Sequence, residues 1–353
     1  MRHDEEAWRL MAEALSISLL SLAVAAVATL CLLLFEKSAA RFTAMPRRAS
    51  AGRPGAAVPV AAGLVVAAVA LSAGSLLNAP LTPPAWLLAI AIGGILNALL
   101  GAADDLFDLS ALLRLVIHLG IGWSVLLLHG VPSDHFQFLG WELPPLLLWV
   151  ILPLYIGWWT NLFNFMDGLD GMVALQAAAI ALWACFILSG DAAPEVARYF
   201  ACFGASFAAF LIFNWAPARL MLGDAGSTFG GFAIAMLTLL ADRMQTMPLA
   251  ASLILTAGLW IDATYTLLRR ASRGERLHIA HLDHAYQHAA AEGHSHRRIA
   301  GGYGLVTLLW LGPLALLAAR YAHLALPLLL LAIAPLVWFC VRLHAGLRAG
   351  ANR

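Results

Sequence analysis

Long apolar segments constrain this chain more than any other feature of its sequence. Of its 353 residues, 62% are hydrophobic and only 12% are charged, whereas soluble domains carry about 25% charged residues. Helices of about 17–25 apolar residues span a bilayer, where every backbone polar group must be bonded within the protein. We therefore predict an all-α fold, a polytopic transmembrane helical bundle with about eleven spanning helices. The predicted spans lie near residues 14–35, 56–78, 85–101, 111–128, 145–163, 172–189, 195–214, 227–241, 247–268, 302–319 and 324–343.

The whole sequence, residues 1–353, is interpreted as one membrane domain, because no polar stretch is long enough to fold alone. A His- and Arg-rich loop at 269–301 lies within it. The first apolar run lacks a small-residue cleavage site and is read as a spanning helix, not a signal peptide. A net charge of +1 gives no reason to expect a nucleic-acid partner.

The distribution of Lys and Arg among the loops predicts the orientation. One side carries sixteen basic residues, including Lys37, Arg114, Arg219 and six within 269–298, and the other side carries five. Basic residues concentrate in cytoplasmic loops. This places the N-terminus outside and the C-terminus in the cytoplasm, and it places three acidic clusters and the His-rich loop on the cytoplasmic side.

The first acidic cluster is Asp104-Asp105-Leu-Phe-Asp108. Ionisable groups next to hydrocarbon are functional-site hypotheses by default. On a helix, Asp104 and Asp108 would share a face, and oxygen ligands of this kind suit Mg²⁺. The alternative is a solvated loop in which Asp108 caps the next helix.

The second cluster runs from Asn161 to Gly171 and contains two Asp-Gly pairs that signal turns. The spanning helix is expected to stop there and to expose polar groups toward the cytoplasm. Asn164 and Asp167 are three residues apart and could point at one ion. Turn chemistry explains the glycines but not the Asn and Asp residues among neighbouring aromatic side chains.

The third cluster, Gly223-Asp224-Ala-Gly226-Ser227, directly precedes an apolar helix. Free N–H groups at a helix N-terminus form a natural anion site. An ordinary Asp or Ser cap explains the same residues equally well. Upstream, Arg219 offers a cation for a diphosphate.

The loop at 269–301 contains several histidines and arginines. His281, His284 and His288 have the spacing of one helical face. The arginines around them favour recognition of phosphate and sugar over a zinc site or a plain solvated loop.

Four motifs in this order resemble the bacterial polyprenyl-phosphate N-acetylaminosugar-1-phosphate transferases, the superfamily of phospho-N-acetylmuramoyl-pentapeptide transferase and the O-antigen-initiating enzymes. They are Asp-Asp-x-x-Asp at 104–108, Asn-Phe-Met-Asp-Gly-x-Asp-Gly at 164–171, Pro-Ala…Gly-Asp-x-Gly-Ser at 217–227 and His-x-x-His-x-Tyr-Gln at 281–287. The resemblance covers most of the chain, and eleven spans match the O-antigen branch.

The resemblance implies that a lipid phosphate attacks the β-phosphorus of a UDP-sugar and releases UMP. By motif position, Asp104 would deprotonate or orient the lipid phosphate, and Asp105 would support it. Asn164 and Asp224 are similar to Mg²⁺ ligands, with Mn²⁺ as a substitute, and Asp167 is similar to an essential acid. The implied substrate contacts are Asp108, Arg114, Asp170 (to uracil), Arg219, His281 and His284.

Three departures from the family pattern affect the donor site. Met221 stands where an aromatic residue usually stacks on uracil, and the Pro-x-Pro stretch survives only as 58–63. Asp283 replaces an arginine between the two histidines. These changes bear on the choice of sugar and on nucleotide binding.

The implied partners are undecaprenyl phosphate, a UDP-N-acetyl sugar and the bilayer of a bacterial inner membrane, with the first step of O-antigen or another surface glycan as the pathway. The sugar and the oligomeric state, including a homodimer, stay open. The rival hypotheses are other membrane transferases with Asp motifs, an inactive scaffold, and a secondary transporter that couples ions through Asp104, Asp167 and Asp224. Transporters place such charges near the midplane within repeats, whereas these residues lie at segment ends.

Overall fold

The computed structural model describes residues 2–39, 47–50, 53–78, 84–129, 137–138, 141–189, 194–279 and 281–347. The helices are α1 (Arg2–Ala39), α2 (Ala62–Asn78), α3 (Pro84–Phe107), α4 (Ala111–His129), α5 (Pro145–Met166), α6 (Met172–Leu188), α7 (Pro194–Asn214), α8 (Gly223–Arg243), α9 (Leu249–Leu255), α10 (Ala257–Ser272), α11 (Ala285–Ala291), α12 (His296–Val306), α13 (Gly312–Arg320) and α14 (Ala325–Arg342). A π-helical turn, Thr307–Leu311, joins α12 to α13, and a 3₁₀ turn, Ala322–Leu324, precedes α14. Two short antiparallel pairs, β1 (Arg47–Ser50) with β2 (Arg53–Pro59) and β3 (Gln137–Phe138) with β4 (Trp141–Glu142), supply the strands of the described chain.

The all-α membrane bundle predicted from the sequence is confirmed. Each of the eleven predicted segments falls mostly on one helix or on two consecutive helices. Within the described ranges, eight of these are long and apolar enough to cross a bilayer, and α9 with α10 makes a ninth if the bent pair is one span. Because α2 and α6 are shorter apolar helices, the count of eleven spans stays a prediction, as does the orientation. Three arginines that entered the orientation count, Arg41, Arg348 and Arg353, lie outside the described residues.

Several predicted boundaries were wrong. Residues 56–59 belong to β2, and α2 begins only at Ala62. The helix α3 continues to Phe107, so Asp104 and Asp105 lie in its last turns and not at a break. The predicted span at 247–268 is two helices bent by 81° at Thr256.

The helix α8 forms the centre of the bundle, because small residues on several faces let its neighbours approach closely. A Cβ on Gly231 would lie 2.3 Å from the carbonyl oxygen of Trp159 in α5, and a Cβ on Gly63 of α2 would lie 2.3 Å from Gly226. The ring of Phe232 occupies the space above Gly93 of α3. Small residues at helix contacts are typical of membrane bundles. Three helices, α2, α3 and α5, are thereby brought to the first half of α8.

The outer helices expose leucines to the surroundings of the bundle. One hydrophobic cluster extends from Ile17 in α1 to Ala345 after α14, whereas large side chains such as Leu22, Leu99 and Leu330 are more than half exposed. Apolar outer faces are what lipid-facing helices require.

Candidate active site

The first and third acidic clusters form one group of charges. Arg114, in the first turns of α4, pairs through Nη1 with Oδ2 of the buried Asp104, and the same Nη1 lies 3.7 Å from Oδ2 of Asp224. The other oxygen of Asp104, Oδ1, accepts a hydrogen bond from the Leu109 amide at 2.8 Å. One guanidinium therefore bridges carboxylates from α3 and α8.

Asp105 lies at the N-terminus of α8. Its Oδ2 accepts hydrogen bonds from the amides of Asp224 (2.9 Å) and Ala225 (3.3 Å). A carboxylate at this position is stabilised by the unpaired amides and by the helix dipole. The anion that binds at this helix N-terminus is therefore the side chain of Asp105. This contact also fixes the position of Asp224 relative to α3.

Two glycines permit this arrangement. Gly223 has a φ of +73°, and a Cβ there would lie 2.2 Å from the Val60 carbonyl oxygen. A Cβ on Gly101, one turn before Asp105 in α3, would lie 2.1 Å from the carbonyl oxygen of Asp224. Only glycine lets α3 and the start of α8 come this close.

Asp108 does not share a helical face with Asp104, contrary to the prediction. It follows the end of α3, is exposed and has a φ of +51°. The predicted alternative, a cap by Asp108, is also wrong, because Ser110 Oγ accepts a hydrogen bond from the Leu113 amide at 3.3 Å at the start of α4. The substrate-binding role of Asp108 stays a prediction.

The second cluster folds as a turn against the segment that leads into α8. Asp170 is buried, and its Oδ2 accepts a hydrogen bond from the Ala218 amide at 3.1 Å. The amide of Gly171, which has a φ of +80°, donates to Oδ1 of Asn214 at 2.8 Å. Asn214 in turn donates to the Leu220 carbonyl at 3.0 Å. Asn214, which the sequence analysis did not select, therefore connects the two motifs.

Asn164 and Asp167 lie at the same end of the bundle as Asp224. Gly231 of α8 faces Trp159, and the preceding Gly230 faces Phe163 of α5, so the two helices run antiparallel. Earlier turns of α8 therefore meet later turns of α5, which brings Asn164 to the level of the first turn of α8. Asp167 follows α5, and its amide donates to the Asn164 carbonyl at 3.1 Å.

The His-rich loop packs against the same end of the bundle through the buried carboxylate of Asp262. Asp262 of α10 accepts hydrogen bonds from the amides of Ala285 (2.8 Å) and Tyr286 (3.1 Å) at the start of α11 and from the hydroxyl of Tyr303 (2.8 Å). Its Oδ1 lies 3.5 Å from Nδ1 of His284. Sequence reasoning missed Asp262 because it lies in an apolar helix, more than twenty residues before its loop partners.

The two motif histidines lie side by side ahead of a helix. Their ring centroids are 5.0 Å apart, and both precede α11, so the predicted single helical face of His281, His284 and His288 is wrong. His284 stacks between Phe165 and Tyr286, with centroids 6.2 Å and 5.6 Å away. The Tyr286 hydroxyl donates to the Phe165 carbonyl at 2.7 Å. The loop is therefore tied to the end of α5.

Electrostatics keep the His281 ring neutral. Burial, and then the neighbouring His284 and Arg270, lower the pKa of His281 to about 4. Burial, and then Asp262 and Asp167, raise the pKa of the Tyr286 hydroxyl, so that it stays protonated. At neutral pH, His281 can donate and accept hydrogen bonds but carries no charge.

Asp283, which stands where the family pattern has an arginine, forms an ion pair inside the loop. Buried Asp283 pairs with Nη1 of Arg270 in α10, which also lies 3.0 Å from Glu275 Oε2. The charge at 283 is therefore engaged inside the loop.

Two further residues of the loop reach the Asp-Gly turn and the segment that leads into α8. Nδ1 of His296 accepts a hydrogen bond from the Asp170 amide at 3.2 Å, and Nε of Arg297 donates to the Ala216 carbonyl. Arg219 lies on another side, 3.5 Å from Glu36 and over the ring of Phe213. The structure thus joins the motifs into one layer at one end of the bundle, with Arg219 at its edge.

The donor chemistry of this layer suits Mg²⁺. Within the described residues, no three His, Cys, Asp or Glu side chains converge as a closed metal cage. Mg²⁺ does not require one, since it usually keeps several waters and binds through one or two carboxylates plus substrate phosphates. Asp224 and Asn164 supply hard oxygen donors at one level, and Arg114 balances the adjacent carboxylates.

Residues 87–242 match the family model of glycosyl transferase family 4. The chain is 29% identical over 221 residues to a probable undecaprenyl-phosphate N-acetylglucosaminyl 1-phosphate transferase of Bacillus subtilis (strain 168), covering 59% of this chain and 60% of the relative. It is 27% identical over 224 residues to the undecaprenyl-phosphate alpha-N-acetylglucosaminyl 1-phosphate transferase of Escherichia coli (strain K12), covering 55% and 56%. It is 28% identical over 189 residues to a phospho-N-acetylmuramoyl-pentapeptide-transferase of Synechococcus sp. (strain RCC307), covering 52% of each.

These alignments span 52% to 60% of the lengths of the three relatives. The three acidic clusters all lie within residues 87–242, the part of the chain that the family model matches. The family-model match and these relatives support the resemblance seen in the motifs, which is to the polyprenyl-phosphate sugar-1-phosphate transferases of glycosyl transferase family 4.

Proposed function

We propose that this protein transfers an N-acetylaminosugar-1-phosphate from a UDP-sugar to undecaprenyl phosphate, giving undecaprenyl-diphosphate-sugar and UMP. The lipid phosphate oxygen forms a bond to the β-phosphorus, and the bond between that phosphorus and the bridging oxygen of UMP breaks. Relatives whose names state this acceptor support the choice of lipid.

The observation that carries the proposal is the chain of contacts across α3, α4 and α8. Arg114 bridges Asp104 and Asp224, and Asp105 holds the first amides of α8. Two anionic substrates must approach each other in this reaction, so catalysis depends on positioning and charge compensation. A rigid group of alternating charges at the bundle end suits that task.

Asp104 orients the lipid phosphate in this account and does not deprotonate it. A phosphate monoester has a second pKa of about 6, so it is mostly ionised at neutral pH. Both oxygens of Asp104 are already engaged, by Leu109 and by Arg114. Arg114 supplies the positive charge beside Asp104. Asp105 holds the end of α3 against the start of α8.

Asn164 and Asp224 are the proposed holders of Mg²⁺, with Mn²⁺ as a substitute. The ion, when bound, supplies Lewis-acid stabilisation of the diphosphate charge. Asp167 is proposed as the essential acid beside Asn164, where its negative charge would help to hold the ion.

The donor is proposed to bind between the Asp-Gly turn and the His-rich loop. Neutral His281 suits hydrogen bonds to sugar hydroxyls or diphosphate oxygens more than ion pairs, and the His284 ring lies beside it, stacked on Phe165. Asp170 is proposed to contact the uracil, and Arg219 is proposed to contact the edge of the diphosphate. Asp108, exposed on the loop after α3, is proposed to contact the substrate headgroup.

The proposed location is the bacterial inner membrane, with the active site on the cytoplasmic face. The proposed role is the first membrane step of O-antigen or other surface-glycan synthesis. The transporter hypothesis gains no support, because the described motif residues join at one end of the bundle.

The test is UMP release by purified protein with undecaprenyl phosphate, Mg²⁺ and a panel of UDP-N-acetyl sugars, beginning with UDP-N-acetylglucosamine. We expect release with one or two donors that requires both lipid and metal and is lost in Asp104→Asn and Asp224→Asn. A folded protein that binds no UDP-sugar and releases no UMP would contradict the proposal.

A further inference from the structure

A deep apolar groove lies on the outer surface, away from the group of carboxylates. Its volume is about 550 Å³, within the usual range for small-molecule sites. The walls are Ile299, Tyr303 and Val306 on one side and Pro335, Phe339 and Leu343 on the other. At its floor, Tyr303 meets Phe339 edge to face, with ring centroids 6.1 Å apart.

Irregular helices shape both walls of the groove. The π-helical turn Thr307–Leu311 interrupts one wall, where the Leu308 carbonyl accepts a hydrogen bond from the Trp183 indole at 3.1 Å. Pro335 lies inside α14 on the other wall, where it cannot donate a helical hydrogen bond. Single π-turns occur often at functional sites.

Basic side chains mark one end of the groove. Arg298 and His294 line it there, with Arg298 Nη1 3.4 Å from His294 Nδ1. Arg342 follows Trp338 of the lining by four residues, so it lies on the same face of α14 one turn nearer this end. This is the end of the bundle at which α12 begins beside the Asp-Gly turn.

The length of the groove matches one leaflet of a bilayer. From Arg298 to Trp310, which both line it, the helix rises by about 18 Å at 1.5 Å per residue. Half of a bilayer's hydrocarbon core is about 15 Å thick. A hydrocarbon chain that starts at the basic end would therefore reach about the midplane at Trp310.

We propose that this groove binds one acidic glycerophospholipid, with its phosphate at Arg298, His294 and Arg342 and an acyl chain along the apolar walls. Basic pockets between membrane helices on one side of the bilayer are typical sites for acidic lipid headgroups. Exposed Arg298 and Arg342 give the site the complementary charge.

The occupant is a bilayer lipid and not the acceptor substrate. The helices that form the groove pack mainly against α6, α9 and α10, whereas Asp104, Asp105 and Asp224 lie where α3, α4 and α8 meet. A phosphate held by Arg298 would not contact that group. The proposal is thus independent of the transferase reaction.

Native mass spectrometry of the purified protein, with phosphatidylglycerol, phosphatidylcholine of the same acyl chains and undecaprenyl phosphate added in turn, tests the proposal. The wild type should hold one phosphatidylglycerol in clear preference to phosphatidylcholine. Arg298→Gln should weaken phosphatidylglycerol binding by about fivefold, the contribution of one basic residue near a charged surface, and Arg320→Gln at the far end of α13 should not.

A pair of glycine variants tests the apolar part separately. Gly302 lines the groove, its neighbour Gly301 does not, and an added Cβ meets nothing within 4 Å at either position. Gly302→Leu should fill the groove and abolish lipid retention, whereas Gly301→Leu should retain it. Equal binding by the two leucine variants, equal retention of phosphatidylcholine, or occupancy by undecaprenyl phosphate alone would each overturn the assignment.

Discussion

Arg114 is the residue on which the charge balance of the site depends. Arg114→Gln removes the guanidinium that bridges Asp104 and Asp224. We expect turnover to fall by about a hundredfold, the effect of removing one preorganised electrostatic partner. UMP release at saturating donor measures it, with Arg243→Gln at the other end of α8 as the matched control. Full turnover in Arg114→Gln would remove Arg114 from the mechanism.

Asp262 holds the His-rich loop in place without contact to the reacting groups. Asp262→Asn replaces the acceptor of two amides and a hydroxyl in a fully buried position. We expect the free energy of unfolding to fall by about 2 kcal/mol and the amides of α11 to exchange faster with solvent. Thr266→Val, which removes one 3.3 Å hydrogen bond to the same carboxylate, is the control. Unchanged exchange in Asp262→Asn would contradict this positioning role.

His281 makes stability depend on pH in a predictable direction. Its pKa is about 4 in the folded protein and about 6.5 when unfolded, so between these values the unfolded chain binds the extra proton. Stability is complete above about pH 6.5 and falls as the pH drops toward 4. Between pH 7.5 and pH 5, the wild type should lose about 1–2 kcal/mol more than His281→Gln.

Thermal unfolding at the two pH values measures this difference, with His323→Gln, in the 3₁₀ turn, as the control. Equal losses in wild type and His281→Gln would show that burial does not depress this pKa.

Single residues were predictable where the motif itself carries polar groups next to apolar segments. Asp104, Asn164 and Asp224 were selected in this way, and the structure brings their clusters to one end of the bundle, whereas their roles stay predictions. Asn214 and Asp262 were missed, because their partners are far away in the sequence and each looks like an isolated polar residue in an apolar helix.

At the scale of elements, the contact between α3 and α8 determines whether the site assembles. Gly101→Ala places a methyl group 2.1 Å from the Asp224 carbonyl oxygen, which belongs to rigid backbone. We expect a loss of about 1–3 kcal/mol in the free energy of unfolding, together with loss of turnover, as α3 is pushed from the start of α8.

Gly120→Ala in α4 is the matched control, because nothing lies within 4 Å of its added Cβ. That variant should be stabilised by about 0.5–1 kcal/mol from helix propensity. Denaturation in detergent combined with UMP release checks both variants. Wild-type behaviour of Gly101→Ala would contradict the close helix contact.

Helix positions followed from hydropathy, whereas their irregularities did not. The eleven apolar segments lie mostly on helices, but neither the break at Thr256 nor the π-turn was predicted, although Gly312-Pro313 directly follows the π-turn and proline disrupts helical hydrogen bonds. The π-turn also has a distant partner, the Trp183 indole that donates to the Leu308 carbonyl. The strand that ends at Pro59 was missed because an apolar stretch of that length is equally compatible with a helix.

At the scale of the whole molecule, the bundle presents its polar chemistry at one end and an apolar belt around its sides. In the proposed reaction, this separation would let a membrane-bound acceptor and a water-soluble donor meet at the layer that contains Asp104 and Asp224. The orientation of that layer was predicted from basic residues in the loops, and reporter fusions at the C-terminus would check it.

The central claim is that the phosphate next to the sugar moves with the sugar to the lipid. Incubation of the purified protein with undecaprenyl phosphate, Mg²⁺ and a UDP-N-acetyl sugar labelled at its β-phosphate tests it most directly. The account predicts that the label appears in the lipid fraction and that the released UMP is unlabelled. Label that stays in UDP, or that appears as inorganic phosphate, would contradict it.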